Sequence, residues 1–291
     1  MKALDVLKEI GTWGLHREAN QAFLLGIAGD PEEADRARQT ALGPTPTPEQ
    51  IGDADPYLLL LYPPFTEQDR LRLARCDIVA SVKNGPGITE CRPAEVALLS
   101  RPEDLVHEVL ERKPWLGLAL ARRLPGFRDT VAERLIQDIS RINAEFAILA
   151  GIPSAVPWLV PYVPVMTAAD WLVLTKNQAF LVLRLAAAYG QAFHPLGRYR
   201  ELLGVVGGAV GWRALARRVA GMVPGAVGLG IKATVAFTAT YITGRAAQHY
   251  FRLGRQPDPE EMRTLRQEAE LRARSAVAQI LARLRARKPE E

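Results

Sequence analysis

Cysteine is scarce in this sequence, and its scarcity excludes a disulfide-stapled fold. Only Cys76 and Cys91 occur in 291 residues. Two thiols without C-x-x-C spacing cannot build a disulfide framework, so we expect both to be reduced in a cytoplasmic setting. The first residues also lack the apolar run of a signal peptide after Lys2. Any membrane-associated part is therefore expected further along the chain.

Charge is scarce in one long region. Residues 146–251 contain eleven charged side chains in 106 positions, and nine of these are Lys or Arg. The stretch 146–169 has no charge at all and is long enough to span a bilayer in principle. Four prolines interrupt it, which predicts a re-entrant or interfacial turn rather than a regular span.

A phosphate-binding loop is missing where an α/β nucleotide domain would carry it. Such a loop needs glycines, a lysine and a Ser or Thr after the first strand. Here Gly26 and Gly29 are followed by Asp30 and Pro31, and no lysine occurs between residues 8 and 83. An acidic side chain would repel phosphate, so we predict no triphosphatase activity and interpret the two glycines as strand-to-helix packing positions.

Other catalytic patterns are missing too. The four histidines are widely separated and form no metal-binding motif. No serine lies in a nucleophile-elbow context. We therefore predict no enzyme, no metal and no cofactor.

The first 110 residues alternate strand and helix signals. Apolar runs at 21–29, 57–62 and 77–82 predict strands, with Asp30 and Thr66 as N-caps of the helices between them. This order predicts a small parallel α/β sheet of three or four strands, of a degenerate GTPase-like or Rossmann-like kind. The Pro-rich stretch 43–56 is predicted to be a loop with at most one turn, and Ser100 is predicted to open a helix that continues to about Arg112.

The rest of the chain is predicted to be helical. An apolar Gly/Ala-rich helical module covers residues 111–256, and a charged helix covers 257–291. The first long helix of the module, 127–150, follows from apolar residues at helical spacing. The charged helix begins at an Asp258 cap and carries a narrow apolar stripe, namely Met262, Leu265, Ala269, Ala276, Ile280 and Leu284.

Strings in this second half resemble a known family. They are the segments that begin at Asp170 (DWLVLTKNQAFLVLRLAAAYG), Leu202 (LLGVVGGAV) and Val223 (VPGAVGLGIKA). Together with a similar helical lead-in, the region 124–251 resembles the family known as domain of unknown function 697. The resemblance implies membrane association and a frequent link to Era-like GTPase domains, and it implies no activity.

Three groups of residues are candidate functional positions. A loop after the third strand lies at the edge where open sheets bind ligands, and an ordinary turn is the alternative interpretation. A basic cluster is predicted to face anionic lipid, with helix-end stabilisation as its alternative. Polar and small residues are predicted to pack helix on helix. The loop is Lys83, Asn84, Gly85 and Gly87; the basic cluster is Arg213, Arg217 and Arg218; the packing residues are Asn177, Gln178, Gly204, Gly208, Gly225 and Gly228.

The sequence therefore favours a non-catalytic, membrane-associated scaffold on the cytoplasmic side, with lipid and a protein partner or a second copy as its binding partners. The basic residues lack the interleaved aromatics of a nucleic-acid surface, so no nucleic acid is expected. Two alternatives remain open. One is a soluble α-helical homo-oligomer, and the other is a ligand- or nucleotide-binding regulator that uses the loop 83–87.

Overall fold

Four short parallel strands form a sheet in the first hundred residues. The computed structural model describes residues 13–82, 95–151, 168–193 and 226–286. The strands lie in the order β2-β1-β3-β4, and each neighbouring pair is parallel. The predicted α/β sheet is confirmed, with four strands. These are β1 (Leu25–Ala28), β2 (Leu58–Leu61), β3 (Ile78–Val82) and β4 (Val96–Leu99).

Two compact units make up the chain. Among the described residues, the sheet unit comprises those up to Glu133 together with 187–191. The helical unit comprises Arg134–Ala186 and the described residues from 192 onward. A small sheet domain with a helical remainder agrees with the predicted fold class.

Six helices accompany the strands in the described part of the sheet unit. Their starts follow local sequence signals, because Thr47 and Thr66 each form a capping box with the residue three positions later. They are α1 (Trp13–Ala19), α2 (Pro31–Leu42), α3 (Pro48–Ala54), α4 (Glu67–Leu73), α5 (Leu105–Arg112) and α6 (Gly117–Arg123).

Three local predictions need correction. Asp30 occupies the N-cap of α2, but its side chain makes no capping hydrogen bond. The predicted loop 43–56 contains the whole of α3, because the Thr47 capping box and Pro48 together begin a helix there. Ser100 does not open a helix, since it directly follows β4. A 3₁₀ turn at Pro102–Asp104 comes first, and the Asp104 carboxylate accepts a hydrogen bond from the Arg101 N–H at 3.1 Å.

Small residues let the sheet and its helices approach closely. A Cβ added at Gly26 would lie 3.0 Å from the Cys76 Sγ and 3.1 Å from the Val79 Cγ2 atom. Cys76 is buried in this apolar cluster, and burial raises the pKa of its thiol to about 11. The thiol is therefore inert at neutral pH, because the thiolate is the reactive form.

Four long helices follow, and the described part of the helical unit is built from them. They are α7 (Arg128–Gly151), α8 (Ala168–Ala188), α9 (Ala226–Leu253) and α10 (Pro259–Ala286). The buried face of α7 carries small and polar residues, including Ser140, Asn143 and Ala147. The apolar spacing correctly predicted this helix, yet Ile142 from that pattern is 48% exposed.

The charged helix α10 packs on α9 as an antiparallel hairpin. Gly230 of α9 approaches Leu281 of α10, while Tyr241 meets Glu268 and His249 meets Glu261. The predicted narrow stripe of α10 is its inward face. Ala269, Ala276 and Ile280 are buried, and Met262, Leu265 and Leu284 are partly buried.

Candidate functional site

The carboxyl edge of the sheet was the first candidate site, because β1 lies between β2 and β3. The chain runs from β1 to one side and then crosses to the other, and ligands favour the crevice at such a switch point. At this edge Gly29 follows β1, and its N–H donates to the Leu61 carbonyl oxygen at 3.4 Å. The predicted ligand loop, Lys83, Asn84, Gly85 and Gly87, lies outside the described residues.

The start of α2 at this edge is acidic. Asp30 is exposed at the N-cap, and Glu32 and Glu33 lie in the first turn. Carboxylates complement the positive end of the helix dipole and so occupy the role that a bound phosphate would take. Pro31 also removes one of the N–H groups that would hold an anion. The edge therefore lacks the chemistry of a phosphate cradle at β1–α2.

A buried polar cluster lies in the helical unit. We call Asn143, Asn177, Gln178 and Thr240 the interhelical cluster, because its members come from α7, α8 and α9. The Asn143 Nδ2 donates to the Thr240 Oγ1 at 2.8 Å, and the Asn177 Nδ2 donates to the Asn143 Oδ1 at 2.7 Å. Asn143 and Thr240 are completely buried.

The Thr240 hydroxyl uses its full hydrogen-bonding capacity. It accepts from Asn143 and from the Gln178 Nε2, the latter at 3.3 Å, and donates to the Ala236 carbonyl at 2.8 Å. Amides and a hydroxyl supply no group that titrates near neutral pH, so the cluster cannot perform acid–base chemistry. What it does is fix the mutual register of three helices, since each lost bond would leave a buried polar group unpaired.

A glycine lies one turn from this cluster. A Cβ added at Gly244 of α9 would be 2.7 Å from the Ile136 Cγ1 and 3.0 Å from the Leu181 Cδ2 atom. These contacts show that α9 lies close to both α7 and α8 at this position. Gly244 is therefore a helix-packing glycine, a role that the sequence analysis predicted for Gly204, Gly208, Gly225 and Gly228.

A second polar group joins α9 to α10, and we call it the α9–α10 clasp. The Tyr241 hydroxyl donates to the Glu268 Oε1 at 2.8 Å, and Glu268 also pairs with Arg245 at 3.8 Å and with Arg272 at 3.1 Å. Further along, the Glu261 carboxylate lies 3.5 Å from the His249 Nε2. The members of the clasp are Tyr241, Arg245, His249, Glu261, Glu268 and Arg272.

The predicted packing and lipid residues are only partly placed. Asn177 and Gln178 both make hydrogen bonds between helices, as members of the interhelical cluster. Gly228 lies within α9. Gly204, Gly208, Gly225 and the basic residues Arg213, Arg217 and Arg218 lie outside the described residues.

Sequence reasoning missed Asn143, Thr240 and Gly244. The sequence could have indicated that Asn143 is buried, because it lies on the same helix face as Ile136, Ser140 and Ala147. Thr240 and Gly244 are four residues apart on α9 and could be seen as one small, polar helix face. Which of several such faces on α9 would be buried was not readable, since small residues occur all around this helix.

Comparisons of the chain with family models, with curated proteins and with solved structures gave no match. Within the described ranges, no group of His, Cys, Asp or Glu is arranged to hold a metal ion. The helices in the same ranges include none that is both long and apolar enough to cross a bilayer.

Proposed function

We propose that this chain is a non-catalytic scaffold that associates with the cytoplasmic surface of a membrane through its helical unit. Its sheet unit then serves as a degenerate nucleotide-binding-like domain that contacts a partner protein. The observation that carries the proposal is an exposed apolar face on α7. Ile142 is 48% exposed and Leu149 is 55% exposed.

These two residues lie on one face of the helix, because they are seven positions apart. Val173 of α8 adds a third large apolar side chain, which is 37% exposed in the same unit. Arg141 and Glu145 are also exposed, and Glu145 lies between the two apolar residues on this face of α7. Apolar side chains beside charged ones are typical of a helix that lies in the interfacial layer of a bilayer.

The charge of α9 supports an anionic surface as the target. Its charged side chains are Lys232, Arg245 and Arg252, and it contains no Asp or Glu. Basic residues near a membrane gain on the order of 1 kcal/mol each from anionic lipid. The predicted cluster of Arg213, Arg217 and Arg218, and the resemblance to a membrane-associated family, agree with this direction.

Flotation with lipid vesicles tests the proposal. The full chain is mixed with vesicles of phosphatidylcholine alone or with phosphatidylserine added, and we expect it to float with the anionic vesicles. Ile142→Asn and Leu149→Asn should each weaken flotation about fivefold, because each removes on the order of 1 kcal/mol of apolar burial. Leu271→Asn is the matched control, since Leu271 is 68% exposed on the outer face of α10.

The proposal would be overturned if the chain did not bind vesicles and eluted from a size-exclusion column, without detergent, as one discrete oligomer. The exposed face of α7 would then be a contact between copies of this chain, as the soluble homo-oligomer alternative predicts. Equal flotation of all three variants and the original chain would exclude the α7 face as the lipid contact.

A further inference from the structure

We propose that α10 is a releasable cover on α9, and that anionic lipid competes with it for the same face. This inference rests on the proposed membrane association and adds a regulatory step to it. The face in question carries Gly230, Tyr241, Arg245 and His249, all of which lie against α10. The clasp defined above holds α10 over the second half of this face.

The contact between the two helices combines apolar and polar groups. The buried residues on the inward face of α10 are three alanines, Ala269, Ala273 and Ala276, together with Val277 and Ile280. An alanine side chain buries little surface, so each contributes much less than a leucine at the same place would. Charged and hydrogen-bonded groups add to this apolar contact, and they are the part for which an anionic surface competes.

What α10 covers is suited to a membrane surface. Phe237 and Tyr241 are buried, and their rings stack at a centroid distance of 5.9 Å. The Arg272 guanidinium lies over the Tyr241 ring at 5.4 Å. Removing α10 would uncover the Tyr241 ring and a basic side chain, Arg245. Aromatic and basic residues are the types that settle at the headgroup level.

Lipid phosphate and the clasp compete for the same basic group. Glu268 lies 3.8 Å from Arg245 and accepts the Tyr241 hydroxyl bond. A phosphate that paired with Arg245 would replace this carboxylate, because both anions accept hydrogen bonds from a guanidinium group. Glu268 itself would be repelled by an anionic surface, so lipid binding and clasp formation oppose each other.

The helix α10 is able to persist when released. Asp258 and Glu261 form a capping box, in which the Asp258 Oδ1 accepts from the Glu261 N–H at 2.9 Å and the Glu261 Oε2 accepts from the Asp258 N–H at 2.8 Å. Glu268 and Arg272 add an i,i+4 ion pair. Release therefore separates two intact helices and does not require α10 to unfold.

Charge variants of the full chain test the inference by vesicle flotation. Glu268→Gln weakens the clasp and should raise flotation with anionic vesicles about threefold, which corresponds to roughly 0.6 kcal/mol for a partly exposed ion-pair group. Glu270→Gln is the matched control. It removes the same charge two residues away, from an exposed position on the other side of α10. This variant should float like the original chain.

A cross-link between α9 and α10 provides a second test. Gly230→Cys and Leu281→Cys are joined by a short bismaleimide in a Cys91→Ser background, where the buried Cys76 reacts slowly. The added Cβ at Gly230 lies 3.8 Å from the Leu281 side chain, so the two thiols are within reach. In the cross-linked Glu268→Gln chain, the gain in flotation should disappear.

The outcomes separate the two ideas. If all variants float equally, with or without the cross-link, the cover is refuted while membrane association stands. If the original chain and every variant stay unbound, membrane association fails and the cover fails with it.

Discussion

At the residue scale, two glycines lie where a side chain would overlap its neighbours. Gly126 lies in the 3₁₀ turn Pro125–Phe127 of the sheet unit, against the carbonyl groups of Thr40 and Ala41 at the end of α2. Gly244 lies in the helical unit at the close approach of α9 to α7 and α8. The two positions differ in what surrounds them, because Gly126 meets backbone and Gly244 meets side-chain ends.

Gly126→Ala should therefore destabilise the protein by about 2–3 kcal/mol or more, because backbone carbonyls cannot turn away from the added Cβ. Thermal unfolding followed by circular dichroism measures the change. Gly52→Ala is the control, since Gly52 lies inside α3 with nothing within 4 Å of an added Cβ. That substitution should stabilise the fold by about 0.5–1 kcal/mol. Equal effects at the two positions would contradict the geometry.

Gly244→Ala should destabilise the helical unit by about 1–3 kcal/mol, because Ile136 and Leu181 must both move. Gly230→Ala on the same helix is the comparison, since its added Cβ meets only ordinary contact at 3.8 Å. Helix propensity alone would make both changes favourable by up to about 1 kcal/mol. A loss of melting temperature at 244 combined with a gain at 230 is the expected result.

Within the interhelical cluster, Asn143→Ala should cost about 1–3 kcal/mol, because it leaves the Asn177 amide without its acceptor in a partly buried place. A double-mutant cycle with Asn177→Ala should show a coupling of about 1 kcal/mol between the two side chains. Additive losses in the cycle would mean that the 2.7 Å hydrogen bond contributes nothing. Asn20→Ala, at an exposed helix end, should change stability little.

At the element scale, the helices begin where side chains satisfy their first N–H groups. Thr47, Thr66 and Asp258 each do this in a capping box or its equivalent. Such signals are local in sequence, so they were readable in advance. The start of α2 differs, because Asp30 makes no capping hydrogen bond even though its position is right.

The first turn of α10 carries a pH-dependent group. Hydrogen bonds from Arg255 and from the Asp258 N–H hold the pKa of Glu261 at about 2, below its usual 4.5. A carboxylate with a lowered folded-state pKa stabilises the fold above pH 4.5, and this contribution is lost as the pH falls through about 2. Carboxyl titration by NMR should show Glu261 ionised at pH 3.5.

Arg255→Ala should raise the Glu261 pKa toward its usual value in the same titration, because the arginine supplies the strongest of its hydrogen bonds. Arg263→Ala on the exposed face of α10 is the control and should leave the Glu261 pKa unchanged. A Glu261 pKa near 4.5 in the original chain would contradict the hydrogen bonds that Glu261 accepts from Arg255 and from the Asp258 N–H.

At the scale of the whole molecule, the two units differ in what holds them together. The sheet unit has an apolar core around β1 and β3, while the described helical unit adds buried amides, hydroxyls and ion pairs between helices. Electrostatic attraction to anionic lipid is screened by salt, with a Debye length of about 10 Å at 0.1 M. Flotation should accordingly depend on ionic strength.

We expect vesicle binding to fall when sodium chloride is raised from about 0.05 to about 0.5 M, because exposed basic side chains lose attraction to the surface. The Ile142→Asn variant should show the same relative loss, since its defect is apolar. Binding that is weak at low salt and strong at high salt would point to apolar contact alone and would contradict a role for the basic residues.

The class of fold was readable from the sequence because its signals are local. The apolar run 57–62, the β-branched run 77–82 and the Thr66 cap specify strands and helix starts within a few residues. The order of these elements then implies a parallel sheet. The strand order itself could not be predicted, since the residues around Gly26 do not indicate that β2 and β3 pair on the two sides of β1.

The candidate site was less predictable than the fold. Asn177 and Gln178 stood out because amides are rare in an apolar helix, yet their partners Asn143 and Thr240 lie 34 and 62 residues away respectively. Long-range pairs depend on how helices pack, and the packing depends on small residues that occur on several faces. For the same reason the sequence did not single out Gly244, where an added Cβ would meet Ile136 and Leu181.

The sequence by itself determined the class of fold, the helix starts at Thr66 and Asp258 and the charge-poor character of the second half, since each depends on neighbours along the chain. Only the tertiary structure decided which face of each helix is buried, which amides meet, and that Glu268 lies against Tyr241 and Arg245. Those outcomes arise from contacts between residues distant in sequence, where shape and the need to pair buried polar groups select one packing among several.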